Sequence, residues 1–228
     1  MRAFSLSIVL VVFLAPLFAG AQVLIKNGAD IDMTGSTGSQ IIFPNGTVLG
    51  TAPDLVVPPG HGDVTNAVNG TDAFIGGGNS NTTKTVANLA AIGGGKGNVV
   101  SAPFGTIGGG GGDDVLNEGN QVTDQHGTVG GGMANRAGDS AGTTDDATFA
   151  TVSGGRSNKA GGSYAAVGGG TANNAIGAIA TIGGGVSNTA GGSIATIGGG
   201  STNAAGGAQA TVSGGLGNSA AGDYATVG

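Results

Sequence analysis

The sequence contains no cysteine and no tryptophan, and only 9% of its 228 residues are charged. Without cysteine there is no disulfide staple, no thiolate metal centre and no lipidated-cysteine anchor. Aromatic residues make up 4%, so a globular core built on large rings is not available. Cations are scarce as well. Seven Lys and Arg against 13 Asp and Glu give a net charge of −6, or −7 once Arg2 is removed with a leader. That balance argues against nucleic acid or an anionic membrane surface as a partner. From Ala160 onward the only charged residue is Asp223. Past the N-terminus no apolar run is long enough to span a membrane as a helix.

Glycine is abundant, with 52 residues, and it recurs with a period. Ala-Thr-Ile-Gly-Gly-Gly stands at Ala180 to Gly185 and again at Ala195 to Gly200. With Ile182 as marker, equivalents at Val152, Val167, Ile197, Val212 and Val227 are spaced by 15 residues. Earlier equivalents are Ile75, Ile92, Ile107 and Val129, spaced by 17, 15, 22 and 23 residues up to Val152. A fixed period of this size means stacked repeats. Six residues after each marker come Asn81, Asn98, Asp113, Asn135, Asn158, Asn173, Asn188, Asn203 and Asn218. Alanine follows two residues later in most units, and a glycine stands ten after the marker at Gly162, Gly177, Gly192, Gly207 and Gly222.

Each unit therefore reads as strand, glycine corner, strand, glycine corner. It is too short for two helices, and its glycine content would weaken any helix. Ala180 and Ile182 alternate with Thr181, and Asn188 and Ala190 share a face across Thr189. Glycine is expected to supply a positive φ at both corners. The fold class that follows is all-β: a parallel β-solenoid of about 15 residues per coil, its strands stacked at about 4.8 Å. The eight asparagines Asn81, Asn98, Asn135, Asn158, Asn173, Asn188, Asn203 and Asn218 read as a structural ladder, amide bonded to amide between coils. The alternative is that each asparagine merely occupies a left-handed corner.

Residues 1–21 have the form of a secretory signal peptide: Arg2, an apolar Ile8 to Phe18, and the small-x-small Ala19-Gly20-Ala21. The expected destination is secretion or a bacterial cell surface. Residues 22–71 do not repeat. Val23 to Ile31 and Gln40 to Leu49 look like short strands, the second interrupted by a tight-turn Asn45-Gly46. Pro53, Pro58 and Pro59 suggest an extended connector. This region is expected to cap the open edge of a roll spanning 72–228.

Two consecutive units, starting at Ile107 and Val129, are longer than the others. Their extra residues lie near 113–125 and 138–148, and the two loops are expected to emerge side by side. They hold Asp113, Asp114, Glu118, Asp124, Asp139, Asp145 and Asp146, seven of the 13 acidic residues. Insertions on a solenoid commonly form its binding face. One reading is a calcium site, since oxygen ligands from neighbouring loops suit that ion; the other is a solvated acidic loop. No EF-hand spacing is present, and no other cofactor or metal is indicated.

Catalytic patterns find little footing. His61 and His126 lack partners at triad or zinc spacing, although His126 is close in sequence to Asp124. Gly93 to Gly97 includes Lys96 but no following Ser or Thr, so it is not a phosphate loop. Asn45, Asn69 and Asn81 head N-x-Thr acceptor patterns, relevant only where the glycosylation machinery exists. The expectation is a non-enzymatic protein.

The Ala-x-Ile-Gly-Gly-Gly-x-x-Asn-x-Ala-x-Gly unit resembles the head repeats of YadA-like trimeric autotransporter adhesins and related bacterial surface or phage-fibre proteins. The resemblance covers residues 72–228, and Ile41 to Val48 is similar to a segment that often precedes such repeats. It implies a left-handed β-roll, a side-by-side homotrimer, and a head that binds host or matrix surfaces through a receptor it does not identify. The triple glycine departs from the family pattern, and no stalk or anchor barrel is present. The end at Gly228, inside a glycine corner, reads as a truncation. A thin layer of Ala, Ile and Val buries little surface against the backbone entropy of ordering a coil, so ladders and chain-to-chain packing must supply the remainder. Three functions are carried forward: an adhesive surface fibre; an ice-binding solenoid, from the row Thr181, Thr196, Thr211 and Thr226; and a tailspike-like polysaccharide-degrading protein. The last needs paired carboxylates that the regular coils lack.

Overall fold

A computed structural model describes residues 66–112 and 118–228, together with the strands Ile41–Ile42 and Val48–Leu49, which pair antiparallel. The expected signal peptide, the strand at Val23 to Ile31 and the proline connector lie outside the described residues.

The repeat folds as a parallel β-solenoid with about ten turns and no helix among the described residues. Each regular coil contributes two strands of two residues. Strands from Phe74–Ile75 to Thr226–Val227 form one ten-stranded parallel sheet, and those from Ala67–Val68 to Ser219–Ala220 form the other. A third line of isolated parallel bridges runs through residues such as Arg156, Thr171, Val186 and Ser201. The register is set by side-chain alternation: Thr181 pairs Thr196, and Ile182 pairs Ile197. A one-residue slip would turn threonine inward and isoleucine outward.

Inside the roll, Ile75, Ile92, Ile107, Val129, Val152, Val167, Ile182, Ile197 and Val212 form one file. It meets a file of smaller residues from the second sheet, including Val100, Val122, Ala137, Ala160, Ala175, Ala190 and Ala205. A layer only two side chains thick explains why large aromatic rings are absent from the interior and appear on the surface instead.

The corners differ from the sequence expectation in a consistent way. Only the third residue of this corner, a glycine whether the corner reads Gly-Gly-Gly or Ser-Gly-Gly, has a strongly left-handed φ in every coil, from 77° at Gly110 to 93° at Gly215. At the second corner Gly162, Gly177, Gly192 and Gly207 are required for closeness, because a Cβ there would collide with the carbonyl of the next coil. The positive φ of that corner falls on a residue with a side chain: Phe104 (59°), His126 (59°), Phe149 (59°), Tyr164 (58°), Ile179 (61°) and Ile194 (59°), among others. A left-handed conformation costs such residues about 1–2 kcal/mol each. It is held in place by backbone bonds to the neighbouring coil, such as Ile194 N–H to Ala178 O at 2.8 Å.

The solenoid also begins earlier than expected. Ala67–Val68 pairs with Thr82–Thr83, so residues 66–71 belong to the roll rather than to the connector.

Candidate functional site

The asparagine column is the most regular polar feature of the molecule. Asn188 illustrates the unit. Its Oδ1 accepts the backbone N–H of Asn203 at 2.9 Å. Its Nδ2 donates to Gly184 O of its own coil at 3.0 Å and to Gly200 O of the next coil at 3.0 Å. Asn98, Asn135, Asn158, Asn173 and Asn203 repeat the three bonds. Asn81 does the same at the start of the stack, and Asn218 keeps the bond to its own coil through Gly214 O.

The cross-coil link is therefore amide to backbone. Direct amide-to-amide bonds occur at Asn188 to Asn173 (3.1 Å) and Asn81 to Asn66 (3.2 Å). The left-handed residue of this corner is not the asparagine but the one before it, such as Ser157, Ala172, Ser187 or Thr202. Both donors of each buried amide are used, which a carboxylate could not achieve.

Two rungs were not expected from the sequence. Asn66 Oδ1 accepts Asn81 N–H at 2.9 Å, and Asn120 takes the place that counting forward from Ile107 gives to Asp113. Asp113 and Asp114 lie outside the described residues. The insertion falls before Asn120, and the strand Gln121–Val122 occupies part of the expected loop 113–125. The second insertion follows the strand Arg136–Ala137, at the other corner of the coil. The two insertions are thus on different corners rather than side by side.

What the second insertion does meet is Asp124. Asp124 is fully buried, its Oδ2 accepting the Thr123 hydroxyl at 2.9 Å and the Asp139 N–H at 3.1 Å. Asp139 is half-buried and Asp146 exposed, and one carboxylate oxygen from each of the three residues lies within 4.8 Å of the others. Burial pushes the Asp124 carboxyl above its ordinary range, while bonds from the Thr123 side chain and the Asp139 backbone work the other way. A hydrogen bond from the Thr143 side chain holds Asp146 below its ordinary range. Asp145 is exposed and outside this group. On the adjacent face, burial and then the Arg136 charge lower the Lys159 pKa; Arg136 Nη1 donates to Ser140 Oγ at 3.0 Å.

Two outer columns complete the surface. Thr106, Thr128, Thr151, Thr181, Thr196, Thr211 and Thr226 stand in register along one sheet, with Ala166 within the row. Along the second corner, the rings of Phe104, His126, Phe149 and Tyr164 stack nearly parallel, with successive centroids 4.7, 4.5 and 4.9 Å apart. Leu89 and Phe104 precede His126 in this column, and Ile179, Ile194 and Tyr224 extend it. Every residue of it named here except His126 is more than two-fifths exposed. Sequence reasoning missed this column. Its signal was present: the residue just before each Ala-Thr or Gly-Thr is repeatedly large and apolar.

No helix among the described residues is long and apolar enough to cross a membrane. No protein-family model matches the chain, and no curated protein matches it.

Proposed function

We propose that the chain is a non-enzymatic, adhesive surface-fibre module of a secreted or bacterial cell-surface protein, its rolls packed side by side as a homotrimer. The reading joins the resemblance to YadA-like heads with the solenoid fold. The observation that carries it is the exposed apolar column Leu89, Phe104, Phe149, Tyr164, Ile179, Ile194 and Tyr224 along one corner of the stack. A long, mostly apolar stripe, broken at His126 and Gln209, on a chain this poor in charge marks an interaction face. Identical neighbouring rolls would cover it over its whole length. The other faces, including the threonine row, stay free to meet a surface.

Substitution to asparagine tests the reading cleanly, because asparagine tolerates the left-handed backbone of this column. Residues 22–228 are expected at three times the chain mass by sedimentation equilibrium, with a β-rich circular dichroism spectrum. They are expected to coat beads that adhere to host-cell or matrix surfaces. The combined variant Phe104→Asn, Tyr164→Asn, Ile179→Asn and Ile194→Asn is expected to stay β-rich and become monomeric. A β-rich wild-type monomer that adheres to nothing would overturn the reading. The row of seven threonines favours ice binding as the second reading, and thermal hysteresis from such a monomer would install it.

A further inference from the structure

Asp124 occupies a position that the repeat does not require. In the regular coils the corresponding corner holds Ala or Gly, as at Ala102 and Gly162. Here a carboxylate is fully buried; Oδ2 has two donors, the Ala147 backbone acts on the group only weakly, and Oδ1 has no donor within hydrogen-bond geometry. A buried carboxylate oxygen without a donor or a counter-charge is costly, so such groups are neutralised by a proton or paired with a cation. The Asp146 carboxylate is a direct neighbour of Asp124, so the two cannot both be ionised there at low cost unless a proton or a cation stands between them. Nothing in the folding of the coil calls for a second and third carboxylate beside Asp124.

We propose that Asp124, Asp139 and Asp146 bind one calcium ion, with Asp124 Oδ1 as the buried ligand and the 138–148 insertion as the flap that completes the site. The ligand oxygens lie within 4.8 Å of one another. Oxygens that share one calcium ion at 2.3–2.6 Å are at most about 5 Å apart, so a set within this span is of the size that one ion bridges. Magnesium, with ligands at about 2.0–2.1 Å and a strict octahedron, demands a tighter set. The donors are all hard oxygens, and the chain has no cysteine to attract a softer metal. Exposure rises from Asp124 through Asp139 to Asp146, which gives the ion a route in from solvent.

The cationic side chains nearby leave the site open. Arg136 Nη1 is engaged with Ser140 Oγ, and Lys159, lowered by burial first and then by the Arg136 charge, meets Asp139 as a charge at a distance. With three carboxylates the affinity belongs to the weak class of extracellular calcium modules, Kd about 10⁻⁴–10⁻³ M.

The site depends on the fold and not on the adhesive reading, so the two can fail separately. Isothermal titration of residues 22–228 with calcium chloride, after stripping with a chelator, is expected to show one saturable site per chain. Calcium is expected to raise Tm, and the chelator to reverse it. Asp146→Asn, at an exposed position that leaves the coil intact, is expected to weaken binding at least tenfold. Asp124→Asn is expected to abolish it while preserving the β spectrum. Asp223→Asn, on a different coil, is expected to bind as the wild type does. The proposal is overturned if no saturable uptake occurs, or if uptake and the Tm shift survive both Asp124→Asn and Asp146→Asn. A proton shared between Asp124 and Asp146 in place of an ion would produce the first of those results.

Discussion

At the residue scale, asparagine is the one polar side chain that closes this corner. Its amide supplies two donors to glycine carbonyls and one acceptor to the next asparagine N–H, all within one buried position. Asn188→Ala would remove these three and the direct bond to Asn173, and strand groups with little access to water. Each stranded group costs about 1–3 kcal/mol. Gly200 O retains the Val186 N–H, so the expected loss is about 2–4 kcal/mol in chemical denaturation. Asn188→Asp separates geometry from chemistry. It is nearly isosteric, yet at neutral pH it turns a carboxylate on two carbonyls. The carboxyl of that variant is destabilised in its charged form, so its pKa in the folded state is raised. The deficit is smallest below the unfolded-state value and grows as pH rises from there through the raised folded-state value. A variant whose stability gap from wild type did not narrow in acid would contradict the hydrogen-bond assignment.

At the element scale, the three glycines of a corner are not equivalent. Gly199 has no left-handed φ, and a Cβ there meets nothing within 4 Å. Gly200 has φ +88°, and a Cβ there would collide with Gly215 O and lie 2.7 Å from Asn203 Nδ2. Gly199→Ala is therefore expected to be neutral or to stabilise by up to about 1 kcal/mol, since it restricts only the unfolded chain. Gly200→Ala is expected to cost more than about 2 kcal/mol, from backbone strain and steric conflict together. Thermal denaturation of the pair decides this, and equal Tm values would refute the corner assignment. The same elements show what could be read in advance. The 15-residue period and the alternation of Ile182 with Thr181 specified the coil and its inner face directly. Asn120 escaped because seven extra residues precede it and hide its offset from Ile107. It could have been found by counting back from Val122, as Asn98 stands two before Val100. The meeting of Asp124 with Asp139 was encoded in their separation of one coil, 15 residues. Reading the two insertions as neighbours hides that signal. The left-handed Ile179 and Ile194 were not legible, because residue type argues against that conformation and only the stacked coils impose it.

At the scale of the whole molecule, every column repeats without reference to the ends, so stability is a sum over coils and the contacts between them. Coils of 17, 22 and 23 residues are accommodated by corner insertions while both sheets stay in register. The strict requirement is therefore a complete set of columns, not a fixed contour length. Deleting Ala180–Ile194 removes one full coil and joins Ile179 to Ala195, the same kind of junction the chain already uses. Asn173 would then meet Asn203, Val167 would meet Ile197 and Ala175 would meet Ala205, each a match already present elsewhere in the stack. That protein is expected to keep its β spectrum, with a modest fall in Tm and in the denaturant dependence of unfolding. Deleting only Ala180–Ser187, a smaller cut, leaves a coil with one strand in place of two. Asn188 then arrives where Ala180 should stand, and the amide has no corner carbonyls to bond. This shorter deletion is expected to lose the cooperative transition and aggregate through the exposed strand edge. If the eight-residue deletion folded as well as the fifteen-residue one, the columns could not be what holds the coils together.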